Sequence, residues 1–181
     1  MSAGRNRSEA SGPKPRAARS IAVRGQGSAV RGPSLEVSVH FATRKPWVPS
    51  SVRISFWAFE ALGRKRGRWD LAVRVVGAAE SRRLNQQYRR KEGPTNVLSF
   101  PATVSHADGA RPLGDLVVCA PVVAREARAQ DKSLAQHWAH MIVHGTLHLL
   151  GYDHERVHDA RRMERYEVGV LRTLGYPNPY G

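Results

Sequence analysis

Gly114-Asp115-Leu116-Val117-Val118-Cys119 is a nearly continuous apolar run, followed two residues later by Pro121. A short run of this kind reads as a strand buried on both faces, and the proline is well placed to open a helix that continues to about residue 130. A strand covered on both sides needs helices to cover it, which points to a sheet packed with helices.

The flanking segments fit that frame. Upstream, Gly93 and Pro94 make a turn, and the run after it, as far as Phe100, returns as a strand. Residues 69–76 read as another strand, residues 78–90 as a helix carrying Leu84, Asn85 and Tyr88, and residues 104–112 as a polar loop. Earlier still, Leu35, Val37, Val39 and Phe41 alternate with Glu36, Ser38 and His40, the period-two pattern of a strand with one buried face, expected here at a sheet edge. Pro46 and Pro49 interrupt, and residues 50–62 then read as a helix. The basic stretch Gly63-Arg64-Lys65-Arg66-Gly67-Arg68 reads as a solvated turn, with a phosphate-contacting patch as the alternative.

Downstream, a helix is expected over residues 133–150, and a last one after His154 with Met163, Tyr166, Val170, Leu171 and Leu174 on one stripe. No internal repeat is evident. The expectation is a single α+β domain over residues 35–181: a small mixed sheet of about four strands packed with about five helices.

Charge is a second strong signal. The 181 residues carry 29 Lys and Arg against 15 Asp and Glu, a net +14. Residues 1–34 hold Arg5, Arg7, Lys14, Arg16, Arg19, Arg24 and Arg31 against Glu9, and the rest of the chain is basic as well. This Gly-, Ser-, Ala- and Pro-rich segment has little to bury and reads as a disordered basic extension. Its glycines and prolines oppose the amphipathic helix of a transit peptide, and it lacks the apolar core of a secretory signal. The single Cys119 excludes an internal disulfide framework and fits a cytoplasmic location. No stretch approaches the 18 to 20 apolar residues of a membrane span, so no membrane partner is expected.

The chemistry concentrates in His144-Gly145-Thr146-Leu147-His148-Leu149-Leu150-Gly151-Tyr152-Asp153-His154. On a helix, His144 and His148 share one face a turn apart. Gly151 then ends the helix with a left-handed turn that brings Tyr152, Asp153 and His154 back toward them. Three neutral imidazoles, with no cysteine pair nearby, suit one zinc ion per chain with its fourth position open. His140 lies on the same stripe. At about 1.5 Å rise per residue, however, the Cα atoms of His140, His144 and His148 spread over about 12 Å, too far to meet on one ion. It reads instead as a neighbour of a ligand or of substrate, or as packed core.

Asp115, Asp153 and His140 are candidates for a general base, and Asp153 could equally orient a ligand histidine. A structural zinc is the alternative, its fourth position closed by Cys119, Asp153 or a distant carboxylate. The spacing HxxxHxxGxxH is also that of metzincin peptidases, whose second position is a glutamate acting as general base. Gly145 stands there instead, which removes the proton acceptor that peptide hydrolysis needs.

Three blocks in order, LNQQYRRKEGPTNVLSFP, LGDLVVC and HGTLHLLGYDH, resemble the YbeY family of bacterial endoribonucleases, also described as ribosomal RNA maturation factors. The resemblance runs over about residues 71–180, including the closing LGYPNPY. It implies an α+β domain, zinc held by His144, His148 and His154, and an essential Arg89 facing the metal cleft, so that Arg89 and His144 are the expected catalytic residues. Glu92 departs from the aspartate expected in its block, and the basic extension departs from the usual short start.

Taken with the charge, the resemblance implies a zinc-dependent, single-strand-specific endoribonuclease. It would act in small-subunit ribosomal RNA maturation at the 3′ end and in ribosome quality control, with the small ribosomal subunit and its proteins as partners. The competing readings are a noncatalytic ribosome-assembly factor with a structural zinc and, third, a metallopeptidase.

Overall fold

The computed structural model describes residues 19–24, 32–43, 45, 47–103, 109–152 and 157–181. Strands β1 (Arg19–Arg24), β2 (Pro33–Phe41), β3 (Gly67–Val76), β4 (Val97–Pro101) and β5 (Arg111–Cys119) form one sheet in the order β1-β2-β3-β5-β4. The described residues also form five helices: α1 (Ser51–Leu62), α2 (Ala78–Arg89), α3 (Ala120–Ala129), α4 (Leu134–Leu149) and α5 (Val157–Thr173). The pairs β2–β3 and β3–β5 are parallel, whereas β1–β2 and β4–β5 are antiparallel. The α+β class, the mixed sheet and the five helices are as the sequence predicts.

The sheet has five strands rather than about four. The additional strand is β1, which lies inside the segment read as a disordered extension and pairs with β2 from Arg19↔Val39 to Arg24↔Ser34. Ile21 and Val23 alternate with Ala22, a period-two signal too short to stand out among glycines and prolines. The cause of the strand is tertiary: β2 would otherwise present a row of unpaired amides and carbonyls, and β1 covers that edge. Consequently β2 is an inner strand, not the sheet edge. The remainder of the extension, residues 1–18 and 25–31, lies outside the described residues.

Burial fixes the register. Leu35, Val37 and Val39 are buried, each worth about 1.5–3 kcal/mol, and a one-residue slip would exchange them for Glu36, Ser38 and His40. Together with Leu71, Val73 and Val75 of β3, Leu116 and Val118 of β5 and Val97 of β4, they pack beneath α1, α4 and α5, where Trp57, Trp138, Ile142, Met163 and Leu171 close the core. Among the described residues the opposite face is covered in part, by a smaller cluster of Val76, Leu98, Val117, Cys119 and Val122 with Leu84 and Phe100 beside it. The rest of that face is a groove lined by Glu36, Ser38, Arg68, Asp70 and Asp115 among others. The run 114–119 is therefore buried on both faces only from Leu116 onward.

Helix α4 is closed at both ends by its own sequence. At its start Ser133 Oγ accepts from the Gln136 amide at 3.2 Å, capping an otherwise unpaired donor. At its end Gly151, with φ +85°, donates to His148 O at 3.0 Å while Tyr152 donates to Leu147 O at 3.0 Å. This pair of bonds is the Schellman closure, and its left-handed residue favours glycine. The expected turn after the helical histidines is thus present.

Candidate metal centre

Four histidines of α4, His137, His140, His144 and His148, recur at helical spacing on one side of the helix. Edge-to-face ring pairs run along them at 6.1 Å, 6.0 Å and 4.6 Å between centroids. Their partners divide them into two groups. His137 Nε2 lies 2.9 Å from Glu126 Oε2, and Glu126 also accepts from Asn96 Nδ2 at 3.0 Å, which links α4 to α3 and to the turn before β4. Burial acts to raise the Glu126 pKa, but the hydrogen bonds from His137 and Asn96 and the charges of His137 and Arg125 hold it below its ordinary value.

At the other end of the helix, His144 Nε2 and His148 Nε2 approach to 3.1 Å. Two nitrogens each about 2.0–2.1 Å from a tetrahedral ion lie about 3.3 Å apart, so this pair has the spacing of two ligands on one ion. The other ring nitrogen of His144, Nδ1, lies 2.7 Å from Glu167 Oε1 on α5. Glu167 is fully buried, and its second oxygen accepts from the Tyr180 hydroxyl. Burial acts to raise the Glu167 pKa. The bond and charge of His144 outweigh it, helped by Tyr180, and keep the carboxyl below its ordinary value.

His140 sits between these two groups. Burial is the main cause that lowers its pKa to about 4, against the opposing pull of Glu167. Neither of its ring nitrogens has a hydrogen-bond partner among the described residues, and its Nε2 lies 3.9 Å from Glu167 Oε2.

His140, His144 and Glu167 each offer a ligand atom within 4.8 Å of the others, so this group could hold a metal ion. The two geometries compete, and bond lengths discriminate between them. A 2.7 Å separation between His144 Nδ1 and Glu167 Oε1 is that of a charge-assisted hydrogen bond, with little room for an ion between the atoms. The 3.1 Å pair of His144 and His148 leaves that room.

The structure therefore brings His140, His144 and His148 together along one face. Asp153 and His154 lie outside the described residues. Asp115 is placed elsewhere: strand alternation sends Leu116 toward α4, where its Cδ2 would meet a Cβ on Gly145 at 2.8 Å, and leaves Asp115 in the groove on the opposite face. Arg89 is exposed at the last position of α2. The preceding Tyr88 meets Phe100 of β4 edge-to-face at 4.9 Å between centroids, and the neighbouring Ser99 donates to Gly145 O of α4 at 3.3 Å. The basic turn after α1 is more than solvated surface, because Lys65 Nζ lies 6.0 Å from the Tyr152 ring centroid, with Arg162 Cζ at 5.6 Å from the same ring.

Glu167 and Tyr180 are not among the residues the sequence singles out. Glu167 had a signal: it falls four residues after Met163 and three before Val170, so an acid stands on an otherwise apolar stripe. Tyr180 had none, because its place depends on the return of the chain after α5.

The family described as Endoribonuclease YbeY matches residues 53–175. A protein named Endoribonuclease YbeY from Halorhodospira halophila is 54% identical over 138 residues, covering 73% of this chain and 88% of its own length. Among solved structures, the solution structure of TM1509 from Thermotoga maritima is similar with a TM-score of 0.51 at 25% identity, covering 76% of this chain and 91% of that one. The match takes in the histidine helix, the Arg89 block and the greater part of the sheet, and the chain belongs to the endoribonuclease YbeY family.

Proposed function

We propose that this protein is a zinc-dependent, single-strand-specific endoribonuclease of the cytoplasm, acting in 3′ end maturation of small-subunit ribosomal RNA and in ribosome quality control. The observation that carries the reading is the 3.1 Å approach of His144 Nε2 to His148 Nε2, in a chain of net charge +14. His144, His148 and His154 hold the ion in this reading, and residues 35–181 with β1 form the catalytic domain. The donor set of neutral imidazoles suits zinc. When bound, zinc polarises a phosphoryl oxygen and lowers the pKa of water at an open position.

The remaining work falls to the chain. Arg89, with its planar fork of donors, binds the scissile phosphate and neutralises the charge that develops on it. Basic surface attracts the RNA without selecting sequence, so selectivity falls to the shape of single strands and to ribosomal partners. No described helix is long and apolar enough to cross a membrane.

The test compares cleavage of a single-stranded small-subunit precursor by zinc-loaded protein, chelated protein, His148→Ala and Arg89→Ala. Loss of cleavage in all three controls, with folding retained, supports the reading; cleavage equal to wild type in the variants overturns it. A noncatalytic assembly factor with a structural zinc is the second reading, and the His140–His144–Glu167 group, in which His140 and Glu167 are buried, favours it. Zinc binding that survives His148→Ala and is lost in His140→Ala selects that second reading.

A further inference from the structure

The residues that close around Glu167 come from the far end of the chain. After α5 the backbone turns back across α4: Lys132 Nζ, just before that helix, donates to Pro179 O at 2.5 Å and to Gln130 Oε1 at 2.8 Å. Pro179 is buried, and the half-exposed ring of Tyr180 lies edge-on to His140 at 5.6 Å between centroids. This anchoring aims the Tyr180 hydroxyl inward at one oxygen of Glu167, while the other oxygen meets His144 Nδ1. A fully buried carboxylate thus has both oxygens engaged, one by the returning segment and one by the histidine.

We propose that Tyr180 and Glu167 are positioning residues, which hold His144 with its proton on Nδ1 and its Nε2 lone pair directed at the ion. This rests on the ligand reading given under the proposed function. The chemistry is that of a metal-bound imidazole whose second nitrogen donates to a carboxylate: the bond fixes tautomer and ring orientation and raises ligand basicity. Tyr180 fixes the carboxylate in turn and screens it from solvent. Glu167 is then a partner of a ligand rather than a ligand.

The test uses the full chain and zinc alone, titrated against a competing chelator. Glu167→Leu removes the acceptor and weakens zinc affinity about 100-fold, whereas Glu167→Gln keeps an acceptor without the charge and loses about 10-fold. Tyr180→Phe, which keeps the ring and leaves every candidate ligand in place, loses about threefold to tenfold. In metal-free protein, long-range proton–nitrogen correlation reports His144 as the Nδ1–H tautomer in wild type and Glu167→Gln, and as a mixture in Glu167→Leu.

Equal losses in Glu167→Gln and Glu167→Leu overturn the proposal in favour of direct coordination by the carboxylate. Affinities within twofold of wild type in Glu167→Leu and Tyr180→Phe overturn it outright. Should Glu167→Leu fail to fold, Tyr180→Phe and Glu167→Gln decide alone, since an unchanged affinity in both sinks the idea. Wild-type affinity in His148→Ala marks failure of the ligand reading itself and is read separately.

Discussion

His137 Nε2 lies 2.9 Å from Glu126 Oε2, a bond that ties the histidine helix to the helix before it. His137 is 2% exposed, and its Nδ1 has no partner among the described residues, so this bond is its main polar anchor. Glu126→Ala leaves a buried ring nitrogen and the Asn96 amide without an acceptor. The expected cost is about 1–3 kcal/mol in urea unfolding.

The same carboxyl makes stability depend on pH. Its folded pKa lies below the ordinary 4.5, so the stabilisation is present above pH 4.5 and is lost as pH falls through the folded value. Glu126→Gln is therefore expected to be less stable than wild type at pH 7 and to converge with it in acid. Unfolding curves from pH 7 to pH 3 that stay parallel would contradict this. Glu167 is lowered in the same sense, so the wild-type acid limb contains both carboxyls.

Gly145 occupies the position of the peptidase glutamate, and the packing explains the difference. A Cβ there meets Leu116 Cδ2 at 2.8 Å and Val97 Cγ2 at 3.2 Å, which directs this position into the sheet. Gly145→Ala gains helix propensity of about 1 kcal/mol while the flexible end of Leu116 gives way, so stability stays within about 1 kcal/mol of wild type. Gly145→Glu buries a carboxylate among apolar atoms and costs on the order of 3 kcal/mol or more, with no gain of casein cleavage. A stable Gly145→Glu protein would show that the position is open after all.

For Arg89, charge and geometry separate in two variants. Arg89→Ala is expected to lower kcat for RNA cleavage about 10²–10³-fold, the range for removing one donor to developing charge. Arg89→Lys restores binding at low salt but only part of kcat, since an ammonium cannot grip two oxygens in a plane. Recovery of full kcat by lysine would reduce the role to charge alone.

How much was legible in the sequence depends on how local each feature is. The helical and strand periods, Pro121 and Gly151 act within a few residues of themselves, and the elements they mark are present. The pair His144 and His148 follows from helical spacing alone. By contrast, β1 forms because β2 needs a partner, and Asp115 is turned from the histidines by a strand alternation that matters only once α4 has chosen a face. Tyr180 reaches Glu167 through a return of the chain, for which composition and period hold no sign.

The strand order also has a kinetic meaning. The pairings β2–β3 and β3–β5 join strands separated by a helix or more, and such distant closures slow folding. The hairpin of β4 and β5, by contrast, pairs strands that follow one another directly in the chain. The β4 edge of the sheet thus belongs to the local part of the topology, which favours its pairing with β5 before the first strands arrive.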